Sequence, residues 1–437
     1  MNIENNMLSQ PVLAPVAAQE RIATIDVIRG MAVLGILIIN IDFFALPSII
    51  IFNPSLVGNF DGINLLTWEF GYFFFFEKMM AVFSMLFGGG LILMMNRSEK
   101  NNLQFKNIYY RRLMWLLIIG LIHAYVFWYG DILFPYAICG MIIYLFRRRS
   151  PKFLIILGIL MLLIGLIIYS GSGFGIGYVR DQAIQAQAAL DAGKEIGPDQ
   201  QGMLQAWKQM GVMFSPSSET LTKEINAYRG SFSDAFMIRW PMSIMMQTQA
   251  FLFMMFWRIF GIMLIGMGLM KSGFLAGDKS NKTYLVWMIS GYVIGLPIVA
   301  YGMTTAIAHD FDFIRFMMYG AHFNYLASIL VAVAHTSLII LLYKKGLFSW
   351  LTSRLQAVGR MALSNYLIHT LVFTTIFYGH GFGLFGGIER FWLLLMVLGM
   401  WIIQLLYSPL WLRHFRFGPA EWLWRSLTYW KKQPMRM

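Results

Sequence analysis

Charged and titratable side chains interrupt the apolar stretches of this sequence at a few positions. His123, His369, Glu77 and Arg258 each lie within a long run of apolar residues. An ionisable group in such surroundings is costly, so each of them raises a functional hypothesis. A neutral imidazole is tolerated in a low-dielectric site and can move a proton near pH 7. His123 and His369 are therefore the first candidates for acid–base catalysis.

Asp131 is placed to orient the imidazole of His123. It follows Gly130 and precedes Pro135, and both residue types interrupt helices. The carboxylate can therefore fold back toward His123. The histidine itself lies about 16 Å along its helix from Arg112, near the middle of the apolar run.

Glu77 and Arg258 each lie roughly 8–10 residues from the far end of their apolar runs. Glu77 is an alternative partner for the catalytic imidazole, and Arg258 is a candidate substrate contact. We predict that these two residues share one cavity, open toward that far end, with Asp131, His123 and His369. The alternative is that Glu77 and Arg258 form a buried structural ion pair. His335, in another apolar run, is interpreted as a packing histidine.

Basic residues gather at the opposite ends of the apolar runs. Such a cluster can hold the phosphates of a coenzyme by charge-assisted hydrogen bonds, or it can simply anchor helices at the cytoplasmic face. Asp26 lies three residues before the first of them and can pair with it. The cluster consists of Arg29, Arg111, Arg112 and Arg360.

Two amides complete the candidate site. Asn40 and Asn365 can donate to the oxyanion of a tetrahedral intermediate, a role worth about 3–4 kcal/mol where it has been tested. Asp26 and Arg258 are further candidate substrate contacts. A metal site is not expected, since no set of His, Asp and Glu has ligand spacing on one helix. The single cysteine, Cys139, excludes an internal disulfide.

The elements that position these residues are membrane-spanning helices. Hydrophobic residues make up 58% of the 437 residues and charged residues 13%, and the mean hydropathy is +0.62. In soluble domains roughly 45–50% of residues are apolar and about 25% are charged, so this chain needs lipid as its solvent. Windows of about 20 residues predict an all-helical polytopic membrane bundle of ten spans. The spans are 26–50, 68–95, 113–129, 132–146, 153–170, 248–270, 284–302, 323–343, 361–378 and 391–411.

Lysine and arginine placement gives the orientation. Apart from the long segment 171–247, the loops predicted to face outward carry only Arg315 and Arg390, and the other loops are basic. Both termini are therefore predicted to be cytoplasmic. The net charge of +13 follows from this bias, and no nucleic-acid partner is expected because the basic residues form no groove-sized patch. The predicted organisation is a tail at 1–25, a bundle at 26–411 and a basic tail at 412–437.

The long outer segment 171–247 begins with a glycine-rich stretch. Its spacing does not fit a dinucleotide-binding motif, and we predict that Gly171–Gly177 is a flexible exit from the fifth span. Further on, Asp181–Ala192 is predicted to be helical. The apolar stretch Phe232–Met246, with Pro241 inside it, is predicted to be a helix along the outer interface.

Three motifs in the sequence resemble the YeiB-like family of multi-spanning bacterial membrane proteins. The first is Ile25-Asp26-x-x-Arg29-Gly30 with Ala32, Gly35-Ile36 and Asn40. The second is Gly130-Asp131-Ile132-Leu133 with Tyr136-Ala137. The third is Val358-Gly359-Arg360-Met361-Ala362-Leu363-Ser364-Asn365-Tyr366-Leu367, which continues to Phe415-Arg416-Phe417-Gly418-Pro419-Ala420-Glu421-Trp422.

The resemblance implies a multi-pass protein of the bacterial cytoplasmic membrane. It also implies a link to transmembrane acyltransferases such as heparan-α-glucosaminide N-acetyltransferase, which use a buried histidine. An acyl group, from acyl-coenzyme A as donor, then passes to an acceptor across the membrane. The expected partners are membrane lipids and a glycan, lipid or metabolite acceptor, and the superfamily makes a homodimer plausible.

The sequence leaves two other functions open. The same polar cavity can serve a transporter or exporter of a small solute or lipid, although no inverted repeat is visible. A non-catalytic membrane scaffold is the third alternative. It accounts for Glu77, Arg258 and His123 only as structural groups.

Overall fold

A computed structural model describes residues 22–100, 105–214 and 216–437. The predicted tail at 1–25 thus lies outside the described residues except for its last four. Apart from one isolated bridge between Phe415 and Arg436, these ranges contain no β-structure. The α-helices are α1 (Ala23–Ala45), α2 (Gly62–Phe74), α3 (Lys78–Lys100), α4 (Phe105–Ile122), α5 (Leu133–Ile143), α6 (Pro151–Asp191), α7 (Pro198–Phe214), α8 (Ser218–Arg229), α9 (Phe232–Gln247), α10 (Phe256–Lys271), α11 (Asn281–Ala308), α12 (Phe313–Arg315), α13 (Ala321–Lys344), α14 (Ser349–Arg360), α15 (Ala362–Phe377), α16 (Arg390–His414) and α17 (Pro419–Tyr429).

The helices confirm a polytopic membrane bundle. Eight stretches of the described chain are long and apolar enough to cross a membrane, and two shorter apolar helices accompany them. The ten stretches follow the order of the ten predicted spans. The long ones are Ala23–Ala45, Gly62–Glu99, Phe105–Phe127, Pro151–Asp191, Phe232–Lys271, Asn281–Ala308, Phe313–Lys344 and Arg390–His414, and the shorter ones are Leu133–Phe146 and Ala362–Phe377.

Burial separates a central group of helices from a peripheral group. The most apolar window is 67% buried in α1 and 61% buried in the stretches that contain α3, α10 and α13. In the stretches that contain α4, α6, α11 and α16 it is only 22–28% buried, although these helices too are apolar enough to cross a membrane. Apolar side chains such as Ile167, Val293 and Ile402 are exposed there. The peripheral helices thus present the surface that lipid must cover.

The second span is not a continuous helix, and the sixth and eighth spans contain π-helical turns. The helix is interrupted at Phe75–Glu77, between α2 and α3, and Glu77 adopts a left-handed φ of 64°. A π-turn, Phe251–Met255, leads into α10, and another, Phe316–Gly320, leads into α13. Such irregular backbone at membrane depth is tolerated where it is buried in protein or lines a cavity.

The prediction of a flexible exit at Gly171–Gly177 is wrong. Helix α6 continues without interruption from Pro151 to Asp191, and it includes most of the predicted helix 181–192. A Cβ atom on Gly173 would approach the Met318 amide to 2.8 Å, and one on Gly177 would approach the Met318 side chain to 2.4 Å. These glycines therefore allow α6 to pack closely on the π-turn of the eighth span. The helix predicted at 232–246 is confirmed as α9, with Pro241 inside it.

The family-like motifs meet at the inner end of the bundle, which is the end predicted to be cytoplasmic. Gly30 on α1 and Gly359 on α14 bring the two helices into backbone contact, since Cβ atoms there would lie 1.9 and 1.8 Å from the carbonyl oxygens of Leu355 and Asp26. Helix α17, from the C-terminal motif, packs on α4 and α15.

Candidate functional site

A cavity of about 290 Å³ lies in the outer half of the bundle. It is bounded by the break between α2 and α3 and by residues of both π-turns, Met254, Met255 and Phe316. The first outer loop also contributes to its wall. Most of the wall is apolar and aromatic, and its charged members are Asp42, Glu77, Arg258 and Arg390.

Glu77 and Arg258 meet in this cavity, as the sequence suggested. The Arg258 guanidinium lies 3.4 Å from the Glu77 carboxylate and donates to the Tyr325 carbonyl and the Ser328 hydroxyl at 2.5 and 2.7 Å. The Asn324 amide donates to Glu77 at 2.8 Å. Only 3% of the Arg258 side chain is exposed, against 23% of the Glu77 side chain. The carboxylate therefore faces the open space and the guanidinium lies behind it.

A second ion pair, between Asp42 and Arg390, was missed as a site feature. The two side chains are 3.4 Å apart, with 23% of Asp42 and 1% of Arg390 exposed. Arg390 also donates to the carbonyls of Val57 and Pro54 at 3.1 and 2.7 Å. The sequence did carry a signal, because Arg390 is one of two basic residues in the short predicted outer loops. What it lacked was any sign that α1 and α16 meet there.

Helix α8, in the predicted outer segment, is hydrogen-bonded to a loop that forms part of the cavity wall. The Glu224 carboxylate accepts hydrogen bonds from the amide and hydroxyl of Ser48, at 2.8 and 3.2 Å. Burial raises the pKa of Glu224, and these two hydrogen bonds oppose the rise. Ser48 begins the short turn Ser48–Ile51. The last two residues of this turn, Ile50 and Ile51, line the cavity.

His123 and Asp131 form a second, separate site. The prediction that the carboxylate folds back is confirmed, since Asp131 Oδ1 lies 2.8 Å from His123 Nδ1. On the other side, His123 Nε2 lies 2.8 Å from the Thr370 hydroxyl. Asp131 Oδ2 accepts the Phe134 amide, which fixes the carboxylate. A carboxylate only accepts, so Nδ1 carries the proton and Nε2 accepts from the Thr370 hydroxyl.

The two histidines do not line the outer cavity, contrary to the expectation of one shared cavity. His123 is 2% exposed and stands in a π-turn, His123–Phe127, that leads to the Gly130–Asp131 turn. Glu77 is engaged by Arg258 and Asn324, so Asp131 is the carboxylate that contacts the imidazole.

His369 belongs to a third polar group, between α15 and α16. Its Nε2 lies 2.9 Å from the Gln404 side chain, and its Nδ1 is buried without a hydrogen-bond partner among the described residues. The Asn365 amide donates to the Val358 carbonyl at 3.1 Å and accepts from the Tyr407 hydroxyl. Asn365 thus links α15 to α14 and α16 and is fully engaged. Asn40 is half-buried on α1 and does not line the outer cavity.

The inner basic residues do converge. Arg29 pairs with Asp26 at 2.8 Å, and Arg360 lies within electrostatic range of the same carboxylate. The Arg111 and Arg112 guanidiniums stack on Trp430 and Trp424, at 4.5 and 3.9 Å from the ring centroids.

Two donors in this cluster remain unused. The Nε atoms of Arg111 and Arg360 are buried and have no hydrogen-bond partner in the described part of the chain. Neither N–H is used by a protein acceptor, and a phosphate is an acceptor that suits a guanidinium donor.

Glu421 is an inner residue that sequence reasoning missed. Its carboxylate accepts from the amides of Leu363 and Ser364, at 2.6 and 3.1 Å, and from the Ser364 hydroxyl at 2.5 Å. It caps α15, the helix of His369 and Thr370, because the first amides of a helix have no partner of their own. Burial raises the pKa of Glu421, against the effect of these hydrogen bonds.

Comparison with known proteins relates the chain to uncharacterized bacterial proteins. Residues 269–431 match the protein family of unknown function DUF418. The chain is 32% identical to the uncharacterized protein YxaH of Bacillus subtilis over 97% of its own length and 98% of that protein. It is 31% identical to the uncharacterized protein YeiB of Escherichia coli over 94% of its length and 96% of YeiB. No solved structure gives a significant match.

Proposed function

We propose that this chain, which belongs to the YeiB family of multi-pass membrane proteins, is an acyltransferase of the bacterial cytoplasmic membrane. It moves an acyl group from cytoplasmic acyl-coenzyme A to a hydroxyl or amine of a glycan, lipid or metabolite. The observation that carries the proposal is the row Asp131–His123–Thr370, with 2.8 Å at each step. A base oriented by a carboxylate and touching a hydroxyl is the arrangement that activates an oxygen nucleophile.

In the proposed reaction the acceptor hydroxyl takes the place of the Thr370 hydroxyl at His123 Nε2. The imidazole removes its proton as the oxygen attacks the thioester carbonyl, and Asp131 stabilises the imidazolium. The carbon–sulfur bond then breaks, and the coenzyme A thiolate leaves with the proton that His123 held. An ester and free coenzyme A result.

The inner basic cluster supports the donor side of this proposal. Arg29, Arg111, Arg112 and Arg360 lie at the end of the bundle that the lysine and arginine bias predicts to be cytoplasmic. Their unused donors, Arg111 Nε and Arg360 Nε, suit the phosphates of coenzyme A. The donor would then enter from the inner end and the acceptor from the outer end.

The test uses the purified full-length protein in nanodiscs. We expect acyl-coenzyme A to bind at micromolar concentration and a labelled acyl group to appear in an acceptor. His123→Gln and Asp131→Asn should lower turnover by about 10²–10⁴-fold without loss of donor binding. The matched control is His335→Gln, since His335 is also bonded through both ring nitrogens, to the Tyr292 hydroxyl and the Phe74 carbonyl. Absence of micromolar acyl-coenzyme A binding by the wild type would refute the proposal.

A transporter is the second candidate, and the broken second span favours it. Discontinuous helices that meet at a cavity with charged groups in its wall are typical of transporter binding sites. Flux of a labelled solute into proteoliposomes without covalent change, lost in Glu77→Gln but kept in His123→Gln, would support transport and contradict acyl transfer.

A further inference from the structure

We infer that the outer cavity is a binding site for a cationic amphiphile, an amine or quaternary ammonium attached to an apolar body. The inference concerns binding alone and does not require that the protein transfers acyl groups. It rests on which charged atoms can be reached from the cavity, on the rings that form its wall, and on its shape.

The carboxylates decide the sign of the ligand charge. Asp42 and Glu77 each expose 23% of their side chains, whereas Arg390 and Arg258 expose 1% and 3%. The two guanidiniums line the cavity but expose much less of their side chains than the acids do. A ligand that enters the cavity meets the carboxylates first, and Coulomb attraction to a nearer negative charge outweighs repulsion from a more distant positive one.

The guanidiniums also donate to protein carbonyls and hydroxyls. Arg258 donates to Tyr325 and Ser328, and Arg390 donates to Val57 and Pro54. Each arginine lies 3.4 Å from its carboxylate, and part of each carboxylate stays exposed. The acids can thus accept hydrogen bonds from an ammonium group.

Aromatic rings form much of the remaining wall. Trp68, Tyr72 and Phe76 stack in a row, with centroid separations of 5.0 and 5.2 Å, and all three line the cavity. Faces of Trp and Tyr rings attract ammonium groups through their quadrupoles, and the same rings accommodate an apolar body. The wall therefore suits both parts of a cationic amphiphile.

The backbone and the volume point to a built ligand site. The wall contains the break at Glu77, where a non-glycine residue has a φ of 64°, and two π-turns. Strained and irregular backbone of this kind concentrates at functional sites. A cavity of about 290 Å³ matches the size of a small organic ligand.

The experiment measures binding of labelled octylamine to the full-length protein in phosphatidylcholine nanodiscs. The specific part is the part displaced by excess unlabelled octylamine. Octylamine and octyltrimethylammonium should bind at least about tenfold more tightly than octanol, and octanoate should bind least. Methylammonium should compete only at far higher concentration, because it lacks the apolar body.

Variants locate the site. Glu77→Gln and Asp42→Asn should each weaken octylamine binding at least about fivefold. Both should fold, since each arginine keeps its two other hydrogen-bond acceptors. Trp68→Leu should weaken octyltrimethylammonium more than octanol. Glu219→Gln removes an exposed carboxylate of α8 that pairs with Lys223, and it should leave the affinity unchanged.

Several results would overturn the inference. Octanol or octanoate binding as tightly as octylamine would show that the carboxylates do not set the preference. Methylammonium competing as well as octylamine would assign the site to small cations. Equal losses in Glu219→Gln and Glu77→Gln would show a general surface-charge effect.

Discussion

Arg258 links two central helices by hydrogen bonds and also pairs with Glu77. From α10 it donates to Tyr325 and Ser328 on α13, and its guanidinium lies 4.7 Å from the centroid of the Tyr325 ring. A carboxylate on the cavity wall is thus held by a cation that belongs to the packed interior. The pair is structural on its arginine side and accessible on its glutamate side, which combines the two alternatives that the sequence left open.

This asymmetry predicts unequal costs for the two partners. Arg258→Met should destabilise the protein by about 3–5 kcal/mol, because it leaves the Glu77 carboxylate without its counter-ion and removes two interhelical hydrogen bonds. Glu77→Gln should cost less, since Arg258 keeps its bonds to Tyr325 and Ser328. Denaturant unfolding in detergent measures both.

The double variant Arg258→Met with Glu77→Gln serves as the control. It should be more stable than Arg258→Met alone, because the uncompensated carboxylate is gone. Equal stabilities of the single and double variants would show that Glu77 contributes no electrostatic penalty.

At the scale of elements, the sequence predicted the helices far better than their contacts. The ten predicted spans correspond to eight long and two shorter apolar helical stretches of the described chain, since an apolar run of sufficient length has few alternatives to a helix in lipid. Glycines allow close packing of α3 against α10. It is observed at Gly88 and Gly266, where Cβ atoms would lie 2.0 Å from the Met263 carbonyl and 2.2 Å from the Met85 carbonyl.

The missing information was which helices are neighbours. Asp42 and Arg390 are 348 residues apart, and His123 and Thr370 are 247 residues apart. Periodicity and hydropathy describe one helix at a time, so neither reveals such pairs. The Asp131–His123 contact was predictable because the turn at Gly130 is local.

The contact between α1 and α14 gives a prediction at this scale. Gly30→Ala should destabilise the bundle by about 1–3 kcal/mol or more, because its Cβ would meet the Leu355 carbonyl at 1.9 Å and the backbone must move. The control is Gly171→Ala in α6, which has open space around it. Alanine is the better helix former, so this variant should be about 0.5–1 kcal/mol more stable.

Thermal unfolding in detergent compares the two alanine variants. Helices α1 and α14 carry Asp26, Arg29 and Arg360, so Gly30→Ala should also weaken acyl-coenzyme A binding if these residues hold the donor. A Gly30→Ala protein as stable as Gly171→Ala would mean that the helices do not make this backbone contact.

For the whole molecule, the helical bundle holds three polar groups at separate places. The basic cluster lies at the end predicted to be cytoplasmic, the Asp131–His123–Thr370 row lies between α15 and the turn that follows α4, and the cavity with Asp42 and Glu77 lies in the half predicted to face outward. This arrangement suits chemistry that joins a cytoplasmic donor to an outer acceptor. The assignment of inner and outer depends on the orientation of the bundle, which rests on the placement of lysine and arginine.

Cysteine labelling in intact cells tests that orientation. The native Cys139 is buried, so it should contribute little background. Ala192→Cys, at the exposed end of α6, should react with a membrane-impermeant maleimide added outside the cytoplasmic membrane. Leu347→Cys, exposed between α13 and α14, should react only after the membrane is permeabilised. The reverse pattern would place the arginine cluster outside, and the acyl-coenzyme A proposal would then lose its cytoplasmic donor.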